Sequence, residues 1–177
     1  MLRVPALCTA VLYKKQEQMW NSFHQKGSYV FHENEVIGMD SMPFTIECTK
    51  SALGTKLFWS FAMEGQQAIV RFIENSFQQA KDLYNYLNSL EDFYCPYPPE
   101  SNILCFQYKP NIIDDQHQLA LRYELINSGE FYITSCIIQG KRYLRTVMMN
   151  PFTDIKDYEA LSIAIAKYAS ANKIYGN

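Results

Sequence analysis

Three prolines within four residues, in Tyr94-Cys95-Pro96-Tyr97-Pro98-Pro99, interrupt the 177-residue chain near its middle. A proline ring fixes φ, removes an N–H donor and pushes the preceding residue out of the helical region. No helix or central strand can run through such a segment, so it reads as a linker between two separate sets of elements. The rhythm of the apolar residues changes at the same place.

Before the prolines, Ile69, Ile73, Phe77, Ala80, Tyr84 and Leu87 recur at spacings of three and four, one face of a long helix. Thr49 is placed to cap a shorter helix that runs to about Met63 and stops at Gly65. Residues 6–13 are a continuous apolar run, the pattern of a strand covered on both faces. A helix is expected over about 15–25 and a short strand over Phe44–Cys48. Between them lies a loop of about 20 residues containing Gly27, Gly38 and Pro43, long enough to expect a functional role.

After the prolines the order is strand, helix, strand, strand, helix. Ile103–Tyr108 reads as a strand, and Asp115–Ser128 as a helix closed by Gly129. Phe131–Ile138 and Arg142–Met149 read as a hairpin turning at Gln139-Gly140. Thr153 would cap the last helix, with Asp154 and Asp157 in its first turn and Ile155, Tyr158, Leu161, Ile165 and Tyr168 as its buried stripe. Together these elements predict a small α+β sandwich.

Composition narrows the classes. With 48% hydrophobic and 19% charged residues the chain can bury a core. A net charge of −2 gives no surface for nucleic acid or anionic membrane. The apolar run after Met1 is shorter than the roughly 20 residues that span a bilayer, and Tyr13-Lys14-Lys15 is a poor cleavage site. Cys8, Cys48, Cys95, Cys105 and Cys136 are odd in number and include no CxxC pair. That excludes a disulfide framework or zinc knuckle and points to a reducing, cytoplasmic setting. Aromatic residues at 15% suit either subunit interfaces or a Tyr-rich core.

No nucleophile elbow, phosphate loop, zinc helix or dinucleotide fingerprint is present, and His24, His32 and His117 have no metal-ligand spacing. His117, in Asp114-Asp115-Gln116-His117, is expected to be solvated, and so is His32 in the long loop. Arg145 stands in mid-strand in Tyr143-Leu144-Arg145-Thr146-Val147, where a charge faces either solvent or a pocket. Its planar fork could pair with a carboxylate through two parallel bonds. Tyr29, after Gly27-Ser28, is either a proton donor or a ring anchored on the surface, and composition alone favours the anchor.

Taken in order, several segments resemble the C-terminal part of the group II pyridoxal-phosphate-dependent amino-acid decarboxylases, the family of glutamate, cysteine sulfinate, diaminobutyrate and aromatic amino-acid decarboxylases. Cys8-Thr9-Ala10-Val11-Leu12 resembles the strand after the cofactor lysine, and Ser28-Tyr29-Val30-Phe31 the mobile catalytic loop. Glu47-Cys48-Thr49-Lys50 and Lys56-Leu57-Phe58-Trp59 resemble the segment usually carrying Cys-Gly-Arg and a later Lys. Asn102–Tyr108 resembles the first strand of the small domain, and Arg145-Thr146-Val147-Met148-Met149-Asn150-Pro151 the strand that holds the substrate-carboxylate arginine.

The resemblance implies an α/β fold class. The chain would be a C-terminal fragment of an aspartate-aminotransferase-type protein (pyridoxal-phosphate fold type I). Residues 1–93 would be the tail of the large cofactor-binding domain and 94–177 a small α+β domain. It implies a decarboxylase (a carboxy-lyase) acting on a small-molecule amino-acid substrate with pyridoxal 5'-phosphate. Tyr29 would be the catalytic proton donor, Arg145 the substrate-binding clamp, and Thr49 would lie near the cofactor phosphate of a neighbouring subunit. Thr49 stands where Gly or Ser is usual, and Leu53 where Asp is common. The family's Schiff-base lysine lies in a His-Lys pair that, by spacing, would fall just before Met1, so the isolated chain is expected to be inactive. Its expected partner is a second copy in a homodimer, or the N-terminal part. The alternative is a non-catalytic interaction module that docks on a full-length relative or on itself.

Overall fold

The computed structural model describes residues 8–25, 44, 51–109 and 115–172. The chain divides into two compact units, residues 2–65 and 66–177.

In the first unit two helices are described: α1, Gln16–Phe23, and α2, Leu53–Glu64. Residues 8–13, expected as part of a buried strand, form no regular element, and Leu12 is 94% exposed. An apolar run becomes a covered strand only where other strands take up its backbone groups, and none does so among the described residues. Trp20 stacks on His24, the residue that caps the end of α1, ring centroids 4.1 Å apart. The end of α2 is as expected: Gly65 takes φ 74°, open to glycine without strain, and its N–H returns to Phe61 O. Its start is not. The helix begins at Leu53 with Ala52 as N-cap, so Thr49 is not its cap.

The second unit is the α+β sandwich. Helix α3, Gln66–Asn88, leads into a two-residue strand β1, Phe93–Tyr94. Then follow β2, Ile103–Tyr108; α4, Asp115–Ser128; β3, Thr134–Ile138; β4, Lys141–Val147; and α5, Ile155–Asn172. The sheet order is β1-β2-β4-β3, antiparallel at every pairing. Strands β2 and β3 are joined through α4, yet β4 lies between them. Leu104, Phe106 and Leu144 on the sheet, Leu83 and Leu87 on α3, Leu121 and Leu125 on α4, and Leu161 and Ile165 on α5 form one buried core.

Local signals set most boundaries. Gln139 (φ 50°) and Gly140 (φ 76°) are both left-handed, the two-residue turn that matches the twist of a hairpin. Gly129 (φ 75°) ends α4. The cap of α5 is Asp154 rather than Thr153. Asp154 Oδ1 accepts from Lys156 N–H at 2.8 Å, while Asp157 Oδ2 accepts from Asp154 N–H at 2.9 Å. That reciprocal pair satisfies two donors that Thr153 alone could not. Ile155 is exposed, so the buried stripe of α5 starts at Tyr158.

The buried line of α3 is Ile69, Ser76, Ala80, Leu83 and Leu87, with Phe77 and Tyr84 half-buried beside it. The helix is thus rotated by about one residue from the stripe its aromatics suggest. Ser76 is tolerated inside because its hydroxyl donates to Phe72 O at 2.8 Å. The rotation separates two substitutions. Leu83→Ala removes a fully buried side chain and is expected to destabilise the chain by about 2–5 kcal/mol. Phe77→Ala, at a half-buried position, should cost clearly less. Urea unfolding of both variants checks this, and an equal or larger loss for Phe77→Ala would overturn the rotated face.

Candidate functional site

Of the three residues the sequence singles out for chemistry, Tyr29 and Thr49 lie outside the described residues, and Arg145 is on β4. Arg145 pairs across the sheet with Cys105 of β2 on one side and Thr134 of β3 on the other. Side chains alternate across a strand. Arg145 therefore shares the face of Cys105, Gln107, Thr134, Cys136 and Tyr143, opposite the one that packs Leu104, Phe106 and Leu144 into the helices.

That face is only partly open. Arg145, Cys105, Thr134 and Cys136 are half-buried, while Tyr143 and Gln107 are buried. Tyr97, from the proline segment, packs on Tyr143 with ring centroids 6.0 Å apart. Its hydroxyl donates to Gln139 Oε1 at 3.4 Å. The proline segment, legible as a linker, thus also covers one end of this face. Thr134 Oγ1 donates to Arg145 O at 3.1 Å, fixing the backbone under the guanidinium. Gln107 Nε2 donates to Arg142 O at 2.7 Å, but its buried Oε1 has no partner among the described residues.

Charge is spare here. Among the described residues no carboxylate lies within ion-pair distance of Arg145; the described ion pair is Lys167–Glu130. The side chain nearest in chemistry is the Cys105 thiol, 3.5 Å from Cys136 Sγ. Burial pushes the Cys105 thiol up to about 12, the contact with Cys136 adds to the rise, and the Arg145 charge opposes it. Burial also pushes Cys95 up to about 12, and Tyr158 likewise, aided there by nearby carboxylates.

Sequence reasoning missed two features. It did not single out the thiol pair, because Cys105 and Cys136 are 31 residues apart and meet only through the sheet. It also placed His117 in solvent. In α4 His117 is half-buried, and its Nε2 is covered and has no partner among the described residues. Helical phase, rather than the polar neighbours in sequence, decides that.

The described residues carry only part of what pyridoxal phosphate needs. That group needs a lysine amine to hold it as an imine and a cradle for its phosphate. None of the described lysines is buried, and Thr49, the residue assigned to the phosphate, lies outside the described part. No described group of three or more His, Cys, Asp or Glu could hold a metal, and no described helix is long and apolar enough to cross a membrane.

Comparison with known proteins gives the family and the fold. The family model for the pyridoxal-dependent decarboxylase conserved domain matches residues 1–109, most of the chain but short of Arg145. An L-aspartate decarboxylase of Metarhizium robertsii is 26% identical over 113 residues, 62% of this chain and 23% of the relative. Mouse CSAD in its apo form superposes with a TM-score of 0.72 at 16% identity, covering 88% of this chain and 34% of that one. The tryptophan decarboxylase of Catharanthus roseus, solved with L-tryptophan, gives 0.65 at 20% identity, covering 75% and 29%. The glutamate decarboxylase domain of a Vibrio parahaemolyticus diaminobutyrate-pyruvate transaminase and L-2,4-diaminobutyrate decarboxylase gives 0.62 at 22%, covering 66% and 25%. At these identities the structural likeness is one of fold. The chain spans about a quarter of the length of the curated relative.

The raised thiol and phenol values carry a sign. The unfolded chain releases the Cys95 and Cys105 protons near 9, whereas the folded chain keeps them to about 12. Their stabilising contribution is therefore complete below pH 9 and lost as pH rises toward 12. Thermal midpoints are expected to fall steadily above pH 9. Alkylation of Cys105 by iodoacetamide at pH 8 should be slower than that of free cysteine, since the thiolate is the nucleophile. Rapid alkylation of Cys105 at neutral pH would contradict the arrangement.

Proposed function

The chain belongs to the pyridoxal-dependent decarboxylase family, and from that premise we propose that it is the C-terminal part of a pyridoxal-phosphate-dependent L-amino-acid decarboxylase. The reaction is loss of a carboxyl group from an amino acid as carbon dioxide. The cofactor of the complete protein supplies the electron sink for that loss. The relatives act, by name, on L-aspartate, L-2,4-diaminobutyrate and tryptophan. Those side chains have little in common, and the substrate class shared by all is an L-amino acid with its carboxylate.

The observation that carries this reading is Arg145. It is half-buried, held in mid-strand between two neighbours, and without a carboxylate among the described residues. Half-burying a guanidinium costs solvation that a carboxylate partner would return. A substrate carboxylate is the anion that fits. Tyr29 is assigned the return of a proton to the carbon that has lost carbon dioxide, and Thr49 the neighbourhood of the cofactor phosphate. We assign residues 94–177 to the small domain and residues 1–93 to the large one, with α3 as the long helix before the join, although in this chain α3 packs into the core of the second unit. A homodimer in the cytoplasm completes the reading. The apolar Phe58, Trp59, Phe61 and Met63 exposed on α2 support it by calling for cover.

The 177-residue sequence has no His-Lys pair. Incubated with pyridoxal phosphate and reduced with borohydride, the chain is expected to show no stoichiometric label at any one lysine and to release no carbon dioxide from a panel of amino acids. Label at a single lysine together with turnover would overturn this.

Within the complete protein the two assigned residues separate kinetically. Arg145→Lys keeps the charge but loses the fork. It should weaken apparent substrate affinity by about 1.5–3 kcal/mol. Tyr29→Phe keeps the ring and loses the proton, so kcat should fall by about 10²–10⁴ with cofactor absorbance unchanged. Unchanged affinity in the first variant returns Arg145 to an ordinary strand residue. Full activity in the second returns Tyr29 to a surface anchor.

A further inference from the structure

Cys105 and Cys136 belong to strands that are not neighbours. Cys105 on β2 pairs with Arg145, Cys136 on β3 pairs with Tyr143, and β4 runs between them. Their sulfurs nevertheless lie 3.5 Å apart, so both side chains lean over β4 toward each other. Both are partly open to solvent, unlike the buried Cys95.

Such a pair can be closed in two ways. A direct disulfide needs Cα atoms about 4.4–6.8 Å apart. Two strands separated by a third are about 9.5 Å apart, and these two residues are also staggered along β4, opposite Arg145 and Tyr143. Forming the bond would pull β2 and β3 together by at least about 3 Å across a strand whose ladders hold them apart. A single atom bonded to both sulfurs needs no such contraction. With bonds of about 2.3 Å, as for metal thiolates, sulfurs at this spacing subtend an angle of about 100°. That is the angle of a pyramidal centre such as trivalent arsenic; copper(I) with one outside ligand is trigonal and would need the sulfurs to part slightly.

The donor set then selects the centre. Thiolates favour soft ions. A structural zinc wants four protein ligands, and no third His, Cys, Asp or Glu joins the pair among the described residues. A centre satisfied by two protein sulfurs and one outside ligand remains. Charge agrees: two thiolates and a monovalent soft cation leave one negative charge, beside the positive charge of Arg145, which pairs across the sheet from Cys105.

We infer that Cys105 and Cys136 form a two-thiol site for one soft, thiophilic centre, monovalent copper or trivalent arsenic. Its occupation sets bulk, and with copper a competing negative charge, against Arg145. That consequence rests on the reading of Arg145 as a carboxylate clamp; the site itself does not. Capture of phenylarsine oxide balances simply. Two As–S bonds form, the As–O bond breaks, both thiol protons leave with the oxygen as water, and arsenic stays trivalent.

The test uses the reduced chain. Phenylarsine oxide is expected to give one adduct per chain by intact mass, mapped to the peptides of Cys105 and Cys136. Copper(I), in competition with a chelator, is expected to bind one to one. Cys105→Ser and Cys136→Ser should each abolish both, and Cys95→Ser should abolish neither. Circular dichroism checks that each variant is folded, and Cys105→Ala replaces Cys105→Ser if that one is not. Arg145→Met should weaken copper at least several-fold and leave the neutral arsenic adduct unchanged. No adduct, an adduct that survives either serine variant, or a Cys105–Cys136 disulfide forming readily under diamide would overturn the site. Absence of copper binding would overturn the cation. In the complete protein the arsenical should raise KM for the amino acid. Capture with unchanged KM would leave the site standing and remove the clamp.

Discussion

Strand β4 takes hydrogen bonds on both edges, from β2 and from β3, although those two strands are the ones the chain joins through α4. The second unit depends on this insertion. It turns β2, α4 and β3 into a frame that closes only when the later strand enters its gap. Buried amides fix the ends of that frame. Beyond the paired residues Met148 N–H donates to Asn102 O at 2.8 Å, and Asn102 Nδ2 donates back to Met148 O at 2.8 Å. Gln118, buried on α4, donates to Tyr108 O and accepts from Tyr108 N–H, copying a backbone partner at the end of β2. A buried amide left unpaired costs about 1–3 kcal/mol, so these bonds specify where α4 and β4 sit as well as stabilising them. Arg145 inherits its position from them.

Most of this frame was legible because its signals are local. The Gln139-Gly140 turn, the glycine after Ser128 and the alternation in Ile103–Tyr108 each fix an element from a few neighbouring residues. What was illegible depends on partners far along the chain. Strand β1 is two residues long and exists because Phe93 and Tyr94 pair with Tyr108 and Gln107. The helical phase of α3 is chosen by what its core neighbours leave room for, which prefers Leu83 to Tyr84. The apolar run around Val11 carries a strand's composition, but composition cannot supply the neighbouring strands. Of the site, Arg145 was legible as a mid-strand charge, whereas its setting between Cys105 and Thr134 is a matter of register.

The register explains why a guanidinium can stand where it does. Its flanking groups are a thiol and a hydroxyl, neither carrying charge at neutral pH: the Cys105 thiol keeps its proton, and the Thr134 hydroxyl is spent on Arg145 O. A cation among such groups is neither neutralised nor repelled. An acid at position 105 or 134 would sit directly across the ladder, close enough to form a cross-strand ion pair and occupy the fork. Neutral, polarisable neighbours leave it free for an anion from outside.

The same setting makes the proposed carboxylate clamp at Arg145 and the proposed two-thiol site beside it exclusive. A carboxylate needs both prongs of the fork and the space in front of them. A soft centre held over β4 by two thiolates would bring its own negative charge to the neighbouring ladder position. Coulomb attraction at such separations in a half-buried site amounts to a few kcal/mol at an effective dielectric near 20. That is comparable with the strength of a charge-assisted pair to a substrate. Neither occupant overwhelms the other on energy alone, so the outcome turns on whether the thiols are protonated. Burial keeps the Cys105 proton in place, which leaves the arginine to the carboxylate. A centre that displaces protons as it binds reverses that order.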